Sequence, residues 1–265
     1  MTAEKGKVYL VGAGPGDPEQ LTVRALRLLS SADFIFHDDL VPSPILSLAR
    51  SDAEIASVGK RCGRKSISQD EINAALVREA RAGHSVVRLK SGDPLLFGRA
   101  AEEIEALRTA CVPFEVAPGI SAAFAAAAAL QTPLTDRRLA SKVIFLTAHR
   151  AEHSIAPMWS GELPEDATLA IYMPGADYGQ LGSELMACGL PCKMPAMIVS
   201  HIGLPGQRIQ QSTLSQLFRV DTLPAPALLL VGWAVATNIT LIQNESLWAT
   251  PMHDRISDSS PDAMV

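Results

Sequence analysis

Near the amino terminus stands VYLVGAGPGD, residues 8–17, an apolar run that breaks into glycines at 12, 14 and 16. Glycine lets a backbone approach a ligand closely, and a strand that runs into such a turn and then a helix is how many nucleotide loops are built. The dinucleotide fingerprint G-x-G-x-x-G needs its third glycine at 17, where Asp17 stands. An Asp that caps a helix sits where a pyrophosphate would bind and repels it. Asp38 follows the next apolar run, as a ribose-binding acid would, so spacing alone leaves an NAD(P)-dependent oxidoreductase open.

Two further stretches have the same form. VVRLKSGDPLLFGRA, residues 86–100, turns at Gly92, Asp93 and Pro94, then passes Phe97, Gly98 and Arg99. VAPGISAAFAAAAAL, residues 116–130, turns at Pro118 and Gly119, and Ser121 with small residues opens a helix. Ligands bind at the carboxyl ends of strands in open sheets, and three close-approach loops argue for such a site better than one. Lys60, Arg61, Arg64 and Lys65 form a basic cluster, as do Arg137 and Arg138. Singly these are solvated surface; together they suit an anionic substrate. Cys188 and Cys192 lack a second pair for zinc, and His149 and His153 in HRAEH lack the adjacent Glu of a zinc protease. No metal site is expected.

The elements that must position these loops alternate. Strands are expected at 7–11, 34–37, 86–90 and 114–117. A helix is expected over 18–30, with Asp17 as N-cap and Gln20 in a capping box. Another is expected over 69–82, capped by Ser68 and Glu71 and ended by Gly83. This predicts an α/β fold with a mainly parallel sheet over residues 1–134. QTPLTDRRLAS reads as a linker. Strand candidates at 142–148, 168–173, 196–200, 208–213 and 227–232, with a helix at 177–188, predict a second α/β domain over 135–246. Residues 247–265 are polar and expected to be disordered. Small ligands favour clefts between domains.

Of the 265 residues 48% are apolar, enough for a substantial core. The net charge of −5 argues against a nucleic-acid partner, which calls for a basic excess. AAFAAAAAL and ALLLVGWAVA, the longest apolar runs, fall short of the roughly 20 residues a membrane helix needs. No export signal precedes the glycine loop. A cytoplasmic protein without a membrane partner is expected.

VYLVGAGPGDPEQLT (8–22), HDDLV (37–41), VGKRCGR (58–64), QDEIN (69–73), VVRLKSGDPLLFGR (86–99), PFEVAPGISAA (113–123) and TPLTDR (132–137), taken together, resemble the tetrapyrrole methylase family. IYMPG, Gln207-Arg208 and PALLLVG (226–232) extend the match to about residue 235. The resemblance implies two α/β domains with S-adenosylmethionine in the cleft between them, and a homodimer. The implied reaction transfers two methyl groups in turn to ring carbons of uroporphyrinogen III. It yields precorrin-2, for sirohaem or cobalamin, and S-adenosylhomocysteine. A methylase of a later precorrin intermediate and a non-catalytic relative are the alternatives within the fold. The GKRCGR segment (59–64) and the QDEIN segment argue against the first. Retention of Asp38 and Lys60 argues against the second.

The resemblance also implies roles. Asp38 matches the family's proton acceptor and Lys60 its proton donor; outside these motifs they read as a strand-end polar residue and a surface lysine. Pro15, Ser91, Gly92, Asp93, Leu96, Ser121, Ala122, Met173, Ile202 and Ala227 match cofactor-contacting positions. Arg61, Arg64 and Arg99 are candidates for the substrate carboxylates, which the guanidinium fork suits. Three positions depart from the pattern: Ser91 replaces a usual Gly, Pro174 interrupts the usual Y-M-G, and Ile202 replaces another Gly. The sirohaem synthases of the family add a dehydrogenase and chelatase domain before the methylase. No such part precedes the glycine loop here, so methylation alone is expected.

Overall fold

Strands covered on both faces read as continuous apolar runs. VYLVG becomes β1 (Val8–Gly12), buried along its whole length. The structure is a computed structural model that describes residues 2–59, 67–149 and 159–236. The expected disordered tail, 247–265, lies outside the described residues. After β1 come α1 (Val23–Leu29), β2 (Phe34–His37), α2 (Ser43–Leu46), β3 (Glu54–Ser57), α3 (Gln69–Arg81), β4 (Val86–Lys90), α4 (Ala100–Thr109), β5 (Phe114–Ala117) and α5 (Ala122–Ala129). The five strands form a parallel sheet in the order β3-β2-β4-β1-β5.

Alternate residues of this sheet feed two cores. Tyr9, Val11, Ile35, Val87 and Leu89 pack on Ala25, Leu28 and Leu29 of α1. Val8, Leu10, Phe36 and Val86 pack on Ile72, Leu76 and Ala80 of α3 and on Ala100 and Leu107 of α4. The helix expected over 18–30 divides in two. Asp17 Oδ1 accepts from the Glu19 amide at 2.9 Å and closes only a 3-10 turn, Pro18–Gln20. Leu21 and Thr22 are extended, and Thr22 Oγ1 caps α1 by accepting from the Ala25 amide at 3.1 Å. The helix over 69–82 forms as expected, with a complete capping box between Ser68 and Glu71 and Gly83 in the left-handed region after its end.

The second sheet comprises β6 (Lys142–Thr147), β7 (Ala167–Tyr172), β8 (Pro195–Ser200), β9 (Arg208–Thr213) and β10 (Ala227–Val231), in the order β6-β7-β10-β8-β9. It is mixed: β6 and β7 are parallel, and β10 and β9 run antiparallel to their neighbours. α6 (Tyr178–Ala187) covers one face with Tyr178, Leu181 and Leu185. The other face carries Ala170, Met197, Val199, Leu228 and Leu230, and α5 covers it with Ala123, Ala125 and Ala126. The alanine helix of the first half of the chain thus completes the core of the second. No helix among the described residues is long and apolar enough to cross a membrane.

Candidate active site

β4, β1 and β5 are neighbours, so the three glycine segments emerge side by side. The Ala13 amide donates to the Lys90 carbonyl at 2.7 Å, and Gly14 and Gly92 exchange backbone bonds of 3.2 and 2.7 Å. A Cβ on Gly12 would lie 2.5 Å from Gly119 Cα, and one on Gly119 would lie 2.2 Å from the Gly92 oxygen. No side chain fits at either point, so the three strand ends pack backbone on backbone. Asp93 fastens them. Its Oδ1 accepts from the Leu95 amide at 2.9 Å and its Oδ2 from the Gly119 amide at 3.0 Å.

The second sheet presents its own edge to these loops. Tyr172 ends β7 and Ser200 ends β8, while Ala227 at the start of β10 stands opposite Ser200. Met173 follows at a positive φ of 51° with 45% of its surface exposed. The Tyr172 hydroxyl bonds Ser121 Oγ and accepts from the Ala123 amide at 3.2 Å. Burial pushes that hydroxyl above its ordinary 10.0, against the opposing pull of the Ser121 and Ala123 bonds, so it is protonated at neutral pH. The Phe97 ring stands 5.1 Å from the Tyr172 ring. Leu204 packs on Gly16, where a Cβ would come within 2.6 Å of its Cδ2, and Pro15 faces Gly203. The carboxyl edges of the two sheets therefore meet in one seam. Of the expected cofactor residues, Pro15 lies on the first glycine loop, Ser91, Gly92, Asp93 and Leu96 on the second, Ser121 and Ala122 at the start of α5, Met173 and Ile202 just after β7 and β8, and Ala227 at the start of β10. Ile202 is only 8% exposed and packs in the core with Met197 and Val199, which leaves its backbone for the seam.

Asp38 directly follows β2, which β4 and β1 separate from β5. Its amide donates to the Leu89 carbonyl at 3.2 Å, and its Oδ1 accepts from Arg88 Nη2. Arg88 Nε donates to Glu103 Oε1 at 2.9 Å, and Lys90 Nζ donates to both Glu103 oxygens at 2.9 and 3.0 Å. The sequence reading missed this group. Its signal was present: two cations at alternate positions inside the apolar strand VVRLK, and a Glu on the inner face of α4 between Ala100 and Leu107. Burial and the neighbouring Arg88 push the Lys90 ammonium below its ordinary 10.5, against the pull of Glu103 and Asp38.

Arg99, in the left-handed region at φ 57°, directs its guanidinium to Glu102, with bonds of 2.7 and 2.6 Å to the two oxygens. It borders a groove of about 660 Å³ whose lining, Leu95 to Thr109, comes wholly from the second glycine loop and α4. Lys60, Arg61, Arg64 and His153 lie outside the described residues.

A protein named siroheme synthase from Gluconacetobacter diazotrophicus is 45% identical over 234 residues, 87% of this chain and 50% of the relative. The chain thus spans about half the length of that relative. A crystal structure of a uroporphyrin-III C-methyltransferase from Thermus thermophilus matches at a TM-score of 0.74 and 40% identity, over 87% of this chain and 94% of the other. A Thermus thermophilus structure of that name complexed with S-adenyl homocysteine matches at 0.72 and 34%, over 86% and 93%. The family model described as tetrapyrrole (corrin/porphyrin) methylases covers residues 7–217, from β1 into the turn after β9, and so takes in the three glycine loops and the ends of β7 and β8. The NAD(P) reading, already short of its third glycine, gives way: this chain belongs to the tetrapyrrole methylases.

Proposed function

We propose that the chain is an S-adenosylmethionine-dependent C-methyltransferase that converts uroporphyrinogen III to precorrin-2 by two successive ring methylations. The observation that carries the reading is the seam: Pro15 and Gly16 of the first glycine loop pack on Gly203 and Leu204 of the other sheet's edge, and Ser121 and Phe97 meet Tyr172. The cradle fits the methyl donor. Gly92 has nothing within 4 Å of where a side chain would begin, so the second loop is open there to a ligand, and Met173 and Ile120 expose apolar surface for a flat base. Pro15, Ser91–Asp93, Leu96, Ser121, Ala122, Met173 and the backbone of Ile202 and Ala227 would hold it.

The donor supplies a methyl group already activated on a sulfonium. An electron-rich pyrrole carbon attacks it, the carbon–sulfur bond breaks, and the thioether product is released. Orientation of the two partners is therefore the larger part of the task. The alkylated ring carries a positive charge that loss of a proton removes. Asp38 is the proton acceptor in this reading and Lys60 a proton donor. Arg61, Arg64 and Arg99 hold substrate carboxylates. Arg99 exchanges Glu102 for a substrate group, and its exposed pairing with Glu102 makes that exchange cheap.

Residues 1–134 and 135–246 act as two domains, a division supported by the two separate sheets. By family resemblance the protein is a homodimer, and its biosynthetic relatives support a place in the cytoplasm. Anaerobic incubation with S-adenosylmethionine and uroporphyrinogen III, read by mass spectrometry, tests the reading. Addition of two methyl groups with formation of S-adenosylhomocysteine is expected. No methylation by protein that binds S-adenosylhomocysteine would overturn the substrate assignment.

A further inference from the structure

Alternate residues of β4 face α3 and α4, and there the apolar series Val86 continues as Arg88 and Lys90. Both are almost wholly buried, at 3% and 2% exposure, and Glu103 between them is fully buried. With Asp38 they make two cations and two anions in one connected group. Such a group is a poor source of stability. The cost of desolvating buried charges matches or exceeds their attraction, and apolar side chains of similar size fill a core as well. Its form points elsewhere.

Arg88 is tied at every branch. Nε donates to Glu103, Nη1 to the Phe36 and Leu89 carbonyls at 3.4 and 3.3 Å, and Nη2 to Asp38 Oδ1. Glu103 is itself held by Lys90 and by Gln69 Nε2 at 3.3 Å. The guanidinium cannot turn without breaking bonds to β2, β4 and α4. Asp38 is the one member with substantial exposure, 31% of its side chain, and its Oδ2 has no protein partner among the described residues.

We propose that Arg88, locked by Glu103 and Lys90, is a positioning residue for Asp38: it clamps Oδ1 and leaves Oδ2 as the oxygen turned to the substrate. The proposal rests on the reading of Asp38 as proton acceptor. A planar fork suits this task where a lysine would not, because one ammonium cannot span a carboxylate, two carbonyls and a second carboxylate at once.

Arg88→Lys in the full chain is the first test, since it keeps a cation beside Glu103. The expected result is a fall in kcat on the order of 100-fold, the size of an acid–base contribution, with KM for both substrates and Kd for S-adenosylhomocysteine within about twofold of the parent. A folded Arg88→Lys protein with kcat within about twofold of the parent would overturn the proposal. If that variant does not fold, Lys90→Met combined with Glu103→Gln removes one cation and one anion and loosens the clamp from behind. A fall in kcat of about tenfold at unchanged KM is then expected, and unchanged kcat would overturn the clamp. Asp38→Asn separates the two ideas. Full turnover in Asp38→Asn sinks the proton-acceptor reading itself; loss there beside normal turnover in Arg88→Lys sinks the clamp alone. The double variant Asp38→Asn/Arg88→Lys should be no slower than Asp38→Asn, and additive losses would mean that Arg88 acts independently of Asp38.

Discussion

Asp93 spends both carboxylate oxygens on the amides of Leu95 and Gly119, whereas Asp38 gives one oxygen to Arg88 and keeps the other. Two strand-end aspartates are thereby set to different tasks. Asp93→Ala frees the second glycine loop from the third, and the affinity for S-adenosylhomocysteine should fall by about tenfold, the worth of a hydrogen bond to a charged group. Calorimetry checks this, and unchanged affinity would contradict the staple. Asp38→Asn should bind S-adenosylhomocysteine normally but turn over on the order of 100-fold more slowly. The two carboxylates were legible in the sequence because each stands in a motif, HDDLV or SGDP. Glu103 stands in no motif, and its one signal was its spacing, three residues after Ala100 and four before Leu107 on the buried face of α4. Tyr172 was illegible because its hydroxyl partners, Ser121 and Ala123, are about fifty positions away.

At the scale of elements, turn chemistry decided what could be read. The capping box located α3 to within a residue, and Gly189, just past the helix expected over 177–188, marks the end of α6 as closely. Capping residues misled at α1, where Asp17 and Thr22 compete and the nearer cap, Thr22, takes the helix. Thr22→Ala should therefore cost about 1 kcal/mol of stability in a denaturant titration, while Asp17→Ala costs less, since Asp17 closes only a single 3-10 turn. β3 escaped notice because EIAS pairs with β2 alone and lies largely exposed, so it has no buried apolar series. The close packing of loops was legible as glycine but not as geometry. Gly119→Ala forces a Cβ into the Gly92 carbonyl, and the variant should lose about 2 kcal/mol together with S-adenosylhomocysteine binding. An alanine variant that melts and binds like the parent would show that the strand ends can part freely.

Across the whole molecule, carboxylates that fasten the parallel sheet set its tolerance of acid. Asp33, just before β2, accepts from the Ser85 amide and hydroxyl at 2.8 Å each, before β4. The Ser85 amide bond above all holds the Asp33 carboxyl below its ordinary 3.8, with burial opposing. A carboxyl lowered in the folded state stabilises the fold above its unfolded value and loses that contribution as pH falls through the native one. Urea midpoints should therefore separate the parent from Asp33→Ala at about pH 6 and converge in acid below the ordinary carboxyl range. Parallel curves would remove Asp33 from the account. The same view of the whole chain exposes what α5 does. Ala123 and Ala126 are fully buried against the second sheet, and the helix they belong to begins at Ser121 in the seam. A helix of alanines is thin, so its girth sets how near the two layers stand. It is a calliper built into the chain: a larger side chain at Ala123 or Ala126 would jack the layers apart, and the gauge of the methyl-donor slot would widen before any residue that touches the donor had changed.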